Sequence, residues 1–125
     1  MEDYRRLRTE ADLSPVSREQ AVAALPGSWA ACHAVAANGT TVGMGRVLGD
    51  GGWYFHIVDM AVVPGHQGNG IGGAVLRRLL DVIREQAPPG AFVNLLADPP
   101  GRRLYRKLGF TETAPDSVGM AMRLP

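Results

Sequence analysis

The sequence has few of the residues that would tie it to a disulfide, a metal or a polyanion. Its one cysteine, Cys32, cannot form an intramolecular disulfide, and no His or Cys cluster shows metal-ligand spacing. Thirteen basic and twelve acidic side chains leave a net charge of +1, so no overall field draws the chain to nucleic acid. We therefore expect no metal, no nucleic-acid partner and a reducing, cytoplasmic setting.

Long apolar runs are missing as well. No run reaches the roughly 18 to 20 residues that span a bilayer. The opening Met1-Glu2-Asp3-Tyr4 lacks the basic and apolar regions of a signal peptide. The length of 125 residues and an apolar content of 46% are typical of one packed domain. We expect a soluble chain without membrane association that folds as a single domain over residues 1–125.

Glycine and proline mark the ends of the predicted elements. In the first half of the chain these are a short strand at 4–8, a helix at 17–25, and strands at 29–36, 41–48 and 53–63. The dipeptides Asn38-Gly39 and Asp50-Gly51 separate the last three runs, and both are favoured in tight hairpin turns. These three runs are therefore predicted to form an antiparallel meander.

The hydrophobic period becomes helical after residue 65. One face of the predicted helix carries Val75, Leu76, Leu79, Leu80 and Ile83. A strand buried on both faces at 91–96, a helix at 100–108 closed by Gly109, and strands at 110–114 and 118–124 follow. The strands that flank the first helix should be parallel neighbours. The fold class is thus α/β, with an α+β mixed sheet made of a meander and one parallel β-α-β crossover.

The glycine-rich segment before that helix carries the clearest functional signal. It reads Gln67-Gly68-Asn69-Gly70-Ile71-Gly72-Gly73. Glycine allows positive φ and close approach of a ligand to the backbone, and the first amides of a helix have no partner within the helix. These amides and the positive end of the helix dipole suit a pyrophosphate.

A dinucleotide-binding turn is an alternative, because Gly68-x-Gly70-x-x-Gly73 matches G-x-G-x-x-G. In that fold the glycines follow the strand directly and several βαβ repeats surround them, whereas here residues 64–67 intervene and one crossover is predicted. The acidic residue expected about 20 positions later is missing, since Val93 and Asn94 stand there. No Gly-Lys-Ser/Thr follows, which excludes a nucleotide-triphosphate loop.

The segment 67–72 resembles the Gln/Arg-x-x-Gly-x-Gly/Ala signature of the GNAT family of N-acetyltransferases. Residues 59–64 look like the family's fourth strand, and residues 104–110 look like its Leu-Tyr-x-x-x-Gly-Phe element, so the resemblance covers about residues 29–125. It implies a GNAT-like acyl-CoA N-acyltransferase fold and transfer of an acetyl group from acetyl-CoA to a primary amine. The acceptor would be a small-molecule or peptide amine, and dimers are frequent among relatives.

The resemblance also implies the coenzyme contacts. Backbone groups of Met60, Ala61 and Val62 would meet the pantetheine arm and the acetyl carbonyl, while residues 67–73 would hold the pyrophosphate. Asp98 stands where relatives often place a coenzyme-contacting asparagine. An acid there would either bind the coenzyme differently or cap the helix that follows.

The resemblance places Tyr105 as the general acid for the departing thiolate, since a phenol with a pKa of about 10 matches it in basicity. The general base is less defined, because Val93 occupies the position of the glutamate that some relatives use. His56 and Asp59 remain as candidates, and alternation puts them on opposite faces of the strand unless a bulge intervenes. The missing glutamate keeps a non-catalytic acyl-CoA-binding module as a further alternative.

Overall fold

A computed structural model describes all residues, 1–125. Its elements are α1 (Glu2–Glu10), α2 (Arg18–Ala24), β1 (Ala30–Val35), β2 (Thr41–Gly49), β3 (Tyr54–Val62), α3 (Ile71–Gln86), β4 (Phe92–Leu95) and α4 (Arg102–Lys107). Short 3-10 turns lie at Leu25–Gly27, Pro64–His66 and Pro99–Gly101. The chain divides into a first unit, Met1–Leu95, and a second unit, Leu96–Pro125. The one-domain organisation stays a prediction.

The sheet has the predicted mixed topology. Its strand order is β1-β2-β3-β4, in which β1 and β2 and likewise β2 and β3 pair antiparallel, while β3 and β4 pair parallel. Gly39 and Gly51 take the positive φ values of 86° and 81° that the two hairpin turns require. The meander and the parallel crossover through α3 are both confirmed. The predicted burial of β4 on both faces is wrong, because Phe92 is 42% exposed.

Different helices cover the two faces of the sheet. On the face that we call the α3 face, a Cβ added to Gly45 would lie 3.1 Å from Val75 and 3.0 Å from Leu79, so glycine lets α3 pack close to β2. All five apolar residues predicted for the inner side of α3 are buried. On the opposite face, the α1 face, Leu7 packs with Val42, Met44, Ala61 and Val63. No helix is both long and apolar enough to cross a membrane.

The first element is a helix, so the strand predicted at 4–8 is wrong. Arg6 bonds Asp3 at 3.3 Å and Glu10 at 3.2 Å, which are helical i,i+3 and i,i+4 pairs. Acidic residues occupy the first turn of α1 and Arg8 the last, as the helix dipole favours. Tyr4 and Leu7 lie three apart, a helical spacing, and both pack into the cluster on the α1 face.

The start of α2 agrees with the sequence. Ser17 is the N-cap, and its hydroxyl accepts the Gln20 amide at 3.0 Å while the Gln20 side chain accepts the Ser17 amide at 2.8 Å. This reciprocal capping box satisfies amides that would otherwise have no partner at the helix start. The helix predicted at 17–25 is confirmed, with a 3-10 turn at its end.

In the second unit, the helix predicted at 100–108 is present as a 3-10 turn followed by α4, and Gly109 has the expected positive φ of 103°. The strands predicted at 110–114 and 118–124 are wrong, because no strand forms there. Val118, Met120, Met122 and Leu124 alternate as in a strand but are 66% to 89% exposed. Alternation describes a strand's two faces, whereas a strand also needs a partner backbone.

Candidate active site

The glycine-rich turn ends in an open helix N-terminus. Gly68 and Gly70 have φ values of 85° and 78°, and α3 begins directly afterwards at Ile71. No side chain caps α3, and its first turn carries no acidic residue. The first intrahelical bond runs from the Ala74 amide to the Gly70 carbonyl at 3.0 Å. The preceding amides, those of residues 70–73, therefore have no partner within the helix and can bind an anion.

Gln67 ties this turn to the end of β3. Its side-chain Nε2 donates to the Val62 carbonyl at 3.0 Å. The Gln67 side chain thus holds the loop in place. Val62 is one of the three residues whose backbone groups are predicted to meet the coenzyme, and its carbonyl already accepts this hydrogen bond.

A bulge interrupts β3 beside the turn. Met44 pairs with Ala61 and Arg46 pairs with Val58, so Asp59 and Met60 together oppose Gly45. Asp59 has a φ of 58°, rare for a residue with a side chain. The bulge turns the Asp59 side chain to the α1 face, where it meets Arg46 and α1. Alternation places His56 on the same face, so the bulge brings both base candidates to one side of the sheet.

Beyond Ile57, the edge of β3 that faces away from β2 has no strand partner. β4 pairs with β3 only where Tyr54 faces Phe92 through Ile57 facing Leu95. Residues 58–62 therefore present backbone groups along a free edge. An extended ligand can hydrogen-bond such an edge as an added strand does.

Asp59 is held by a buried polar network. Arg46 Nε and the Tyr4 hydroxyl each donate to Asp59 Oδ2 at 2.6 Å, and Arg8 Nη1 donates to Oδ1. Arg46 also donates to the Ser28 hydroxyl at 3.0 Å. Burial and, next, the bond to Asp59 raise the pKa of Tyr4, so its phenol stays a donor. The network fixes α1 to the bulge and occupies both carboxylate oxygens.

Replacing Asp59 with asparagine should destabilise the fold strongly. Asparagine tolerates the left-handed backbone. It would, however, leave Arg46 and Arg8 without a counter-charge, and their side chains are only 11% and 12% exposed. Removing one member of a buried ion pair costs roughly 3 to 5 kcal/mol, which urea unfolding measures. The control Asp81→Asn breaks an exposed pair with Arg84 and should leave the midpoint nearly unchanged. Equal midpoints for both variants would contradict a structural role for the network.

The network also borders a cavity of about 250 Å³. Tyr4, Arg46 and Asp59 form part of its wall, and the rest comes from α1, Leu25 and strands β1 and β2. Neither His56 nor any residue of β4 lines it. Asp59 is the one residue of β3 in its wall.

His56 contacts Asn94, a residue for which the sequence predicted no role. His56 lies opposite Asn94 in the parallel pair of β3 and β4, and its Nδ1 is 2.6 Å from Asn94 Oδ1. The Tyr54 hydroxyl donates to the same oxygen at 3.3 Å. The register of β3 against β4 creates this contact. The two residues are 38 positions apart in the sequence, so no local pattern indicates that they meet.

In the second unit, Tyr105 is oriented by the end of α4. The Phe110 amide donates to the Tyr105 carbonyl at 3.0 Å and the Gly109 amide to the Arg106 carbonyl at 3.1 Å, which is a Schellman motif. The Phe110 ring packs edge-on against Tyr105, with ring centroids 6.1 Å apart. This gives the Leu-Tyr-x-x-x-Gly-Phe spacing a physical reason, because Gly109 and Phe110 together orient the tyrosine.

Two further residues of the second unit act on Tyr105. A Cβ on Gly101 would lie 2.7 Å from its ring and 2.9 Å from its hydroxyl, so the absence of a side chain there makes room for the phenol. Burial and, next, the charge of Asp98 raise the pKa of Tyr105. The Asp98 side chain does not cap the turn that follows it, so the capping alternative is wrong.

Comparison with known proteins agrees with this geometry. A sequence model of the acetyltransferase (GNAT) domain matches residues 28–112, so the chain belongs to the GNAT acetyltransferase family. The solved structure of a Staphylococcus aureus protein of unknown function, described as a probable acetyltransferase, superimposes with a TM-score of 0.93 at 39% identity. That comparison covers 98% of this chain and 92% of the other.

Two curated relatives carry N-acetyltransferase names. The uncharacterized N-acetyltransferase ycf52 of Pyropia yezoensis is 34% identical over 66% of this chain. Serotonin N-acetyltransferase 2, chloroplastic, of Oryza sativa subsp. japonica is 35% identical over 74% of it. The matches cover 45% and 46% of these relatives, so the chain spans less than half of their length.

Proposed function

We propose that the protein is an acetyl-CoA-dependent N-acetyltransferase that acetylates a primary amine. The observation that carries the proposal is the uncapped start of α3 beside the free edge of β3. Amides at the helix start suit a pyrophosphate, and the strand edge suits the amide-containing pantetheine arm. Members of the GNAT family use acetyl-CoA as co-substrate, which agrees with both features.

The proposed coenzyme contacts follow from these two surfaces. Residues 68–73 provide amides to the pyrophosphate, with Gln67 holding the loop, and Met60, Ala61 and Val62 provide backbone groups to the arm and the acetyl carbonyl. Asp98 stays a proposed coenzyme contact, and its charge also acts on Tyr105.

The proposed chemistry is direct attack by the amine. Acetyl-CoA supplies the acetyl group as an activated thioester. The amine nitrogen bonds to the carbonyl carbon, the carbon–sulfur bond breaks, and Tyr105 gives its phenolic proton to the departing sulfur. His56 accepts the proton that the amine loses, directly or through water. We favour His56 over Asp59 because both oxygens of the Asp59 carboxylate are bound to cations or a phenol.

Thermal unfolding with acetyl-CoA, CoA and NAD in parallel tests this function against the alternatives. A ligand at 100 times its Kd adds about 2.7 kcal/mol to the free energy of unfolding. Stabilisation by both coenzyme A species and not by NAD is expected, followed by amine-dependent release of free thiol. Stabilisation by NAD alone supports a dinucleotide-binding protein. Coenzyme binding without thiol release from any amine supports the non-catalytic module.

The amine panel for that assay should include arylalkylamines beside alkylamines and peptide amines. Trp53, Tyr54 and Phe92 are 60%, 45% and 42% exposed, and the rings of Trp53 and Tyr54 each pack against that of Phe92. Aromatic surfaces favour aromatic ligands, and the rice relative is named for a serotonin acceptor. The order of kcat/KM over the panel identifies the acceptor class.

We also propose a cytoplasmic location and a homodimer. The single cysteine suits a reducing compartment. A fluorescent fusion tests the location, with the plastid as the outcome that the rice relative's name raises. Sedimentation of the purified chain tests the dimer.

Changing Gly101 to alanine should lower turnover without weakening the fold. The φ of −92° accepts alanine, but the new methyl would overlap the Tyr105 ring and must displace it. A misplacement of about 1 Å in a reacting group can cost up to about 100-fold, so we expect kcat to fall roughly 10- to 100-fold. Gly27→Ala is the control, since nothing lies within 4 Å of its added Cβ. An unchanged kcat in the Gly101 variant would mean that Tyr105 takes no part in the reaction.

A further inference from the structure

The orientation of the Asn94 amide is fixed by its neighbours. Its Nδ2 is 3.3 Å from the Phe55 carbonyl oxygen, which can only accept a hydrogen bond. The amide nitrogen must therefore face Phe55, and Oδ1 must face the other way. There it accepts from the Tyr54 hydroxyl at 3.3 Å and contacts His56 Nδ1 at 2.6 Å.

This orientation decides which nitrogen of His56 carries the proton. An amide oxygen has no hydrogen to donate, so the short contact requires a proton on His56 Nδ1. A neutral imidazole protonated on Nδ1 has its lone pair on Nε2. A base must present such a lone pair to the proton that it accepts.

We propose that Asn94 is a positioning residue, which holds the His56 imidazole in the Nδ1–H tautomer and thereby makes Nε2 the general base. The tautomer follows from the contacts alone, and the catalytic part rests on the proposed function. The residue pair replaces the carboxylate that the sequence lacks at Val93.

The hydrogen-bond partner of the His56 ring is the uncharged amide of Asn94. Tyr54 on β3 already donates to Asn94. On the same face, Asp59 is bound to Arg46 of β2 and to Arg8 and Tyr4 of α1. Because Asn94 is uncharged, it orients the ring through a hydrogen bond and not through an ion pair.

Long-range ¹⁵N–¹H NMR of the histidine rings tests the tautomer without any substrate. In the unchanged protein the His56 spectrum should show a protonated Nδ1 and a bare Nε2. Asn94→Leu removes the acceptor, so the Nδ1–H pattern should be lost while the signals of His33 and His66 stay in place. A bare Nδ1 in the unchanged protein, or the same His56 pattern in the variant, overturns the proposal.

Kinetics test the positioning role. Asn94→Leu should lower kcat by about 100-fold, the lower range for general base catalysis, with the Kd of acetyl-CoA nearly unchanged. Asn94→Asp keeps the acceptor and should restore much of the rate.

A double variant separates an effect through His56 from a general defect. If Asn94 acts through His56, then His56→Ala with Asn94→Leu should be no slower than His56→Ala alone. Additive losses, or an unchanged kcat for Asn94→Leu, overturn the positioning role. Absence of acetyl transfer in the unchanged protein would instead refute the proposed function, and the NMR result would still decide the tautomer.

Discussion

Tyr105→Phe is expected to lower kcat by roughly 100- to 10,000-fold while leaving the Kd of acetyl-CoA nearly unchanged. The variant keeps the ring that packs on Phe110 and removes only the proton that we assign to the departing sulfur. Thiol release gives kcat, and calorimetric titration gives Kd. Tyr4→Phe is the matched control, because its hydroxyl bonds Asp59 and has no part in the proposed proton transfer.

The pH dependence of the same reaction sharpens that prediction. Burial, and next the charge of Asp98, raises the pKa of Tyr105, so the phenol stays protonated well into the alkaline range. Asp98→Asn removes a negative charge, lowers the pKa of Tyr105, and should move the alkaline limb of kcat to lower pH. An unchanged kcat for Tyr105→Phe across the pH range would remove Tyr105 as the acid.

Gly70→Asp is expected to weaken coenzyme binding by roughly 30-fold or more. Gly70 precedes the first turn of α3 with a φ of 78°, which aspartate tolerates better than most residues. Its carboxylate would bond the free amides and repel a pyrophosphate. Unit charges 4 Å apart near a surface repel by about 4 kcal/mol, and exposure reduces this value. Calorimetric titration with CoA measures the loss.

The control for this charge effect is Gly70→Asn. Asparagine has nearly the same shape and backbone preference but no charge, so the ratio of the two Kd values isolates electrostatics. The aspartate variant should be at least as stable as the asparagine one, because a negative side chain at a helix start is favourable. Equal Kd values for the two variants would mean that α3 does not hold the anion.

The parts of the fold that the sequence predicted are those set by local chemistry. The meander follows from the turns at Gly39 and Gly51, and α3 follows from a buried face that is apolar at helical spacing. The shape of the glycine-rich turn was predictable for the same reason, because left-handed glycines and the uncapped start of α3 lie next to one another in the chain.

The rest depends on contacts between distant residues. The bulge at Asp59 is supported by Arg8 and Arg46, which are 51 and 13 residues away. The sequence pattern did not predict helix α1, because the segment is short and contains few apolar residues. Ion pairs and the packing of Leu7 stabilise it instead. The Asn94 contact with His56 needs the exact register of two parallel strands, which no local pattern encodes.

The most direct test of the account is an amide ¹⁵N–¹H NMR titration of the whole chain with CoA. Binding of the pyrophosphate at the start of α3 and of the pantetheine arm at the edge of β3 predicts the largest amide shifts at residues 68–73 and 60–62. Tight binding with those amides unmoved, or no binding at all, would contradict the proposed coenzyme site and with it the proposed acetyl transfer.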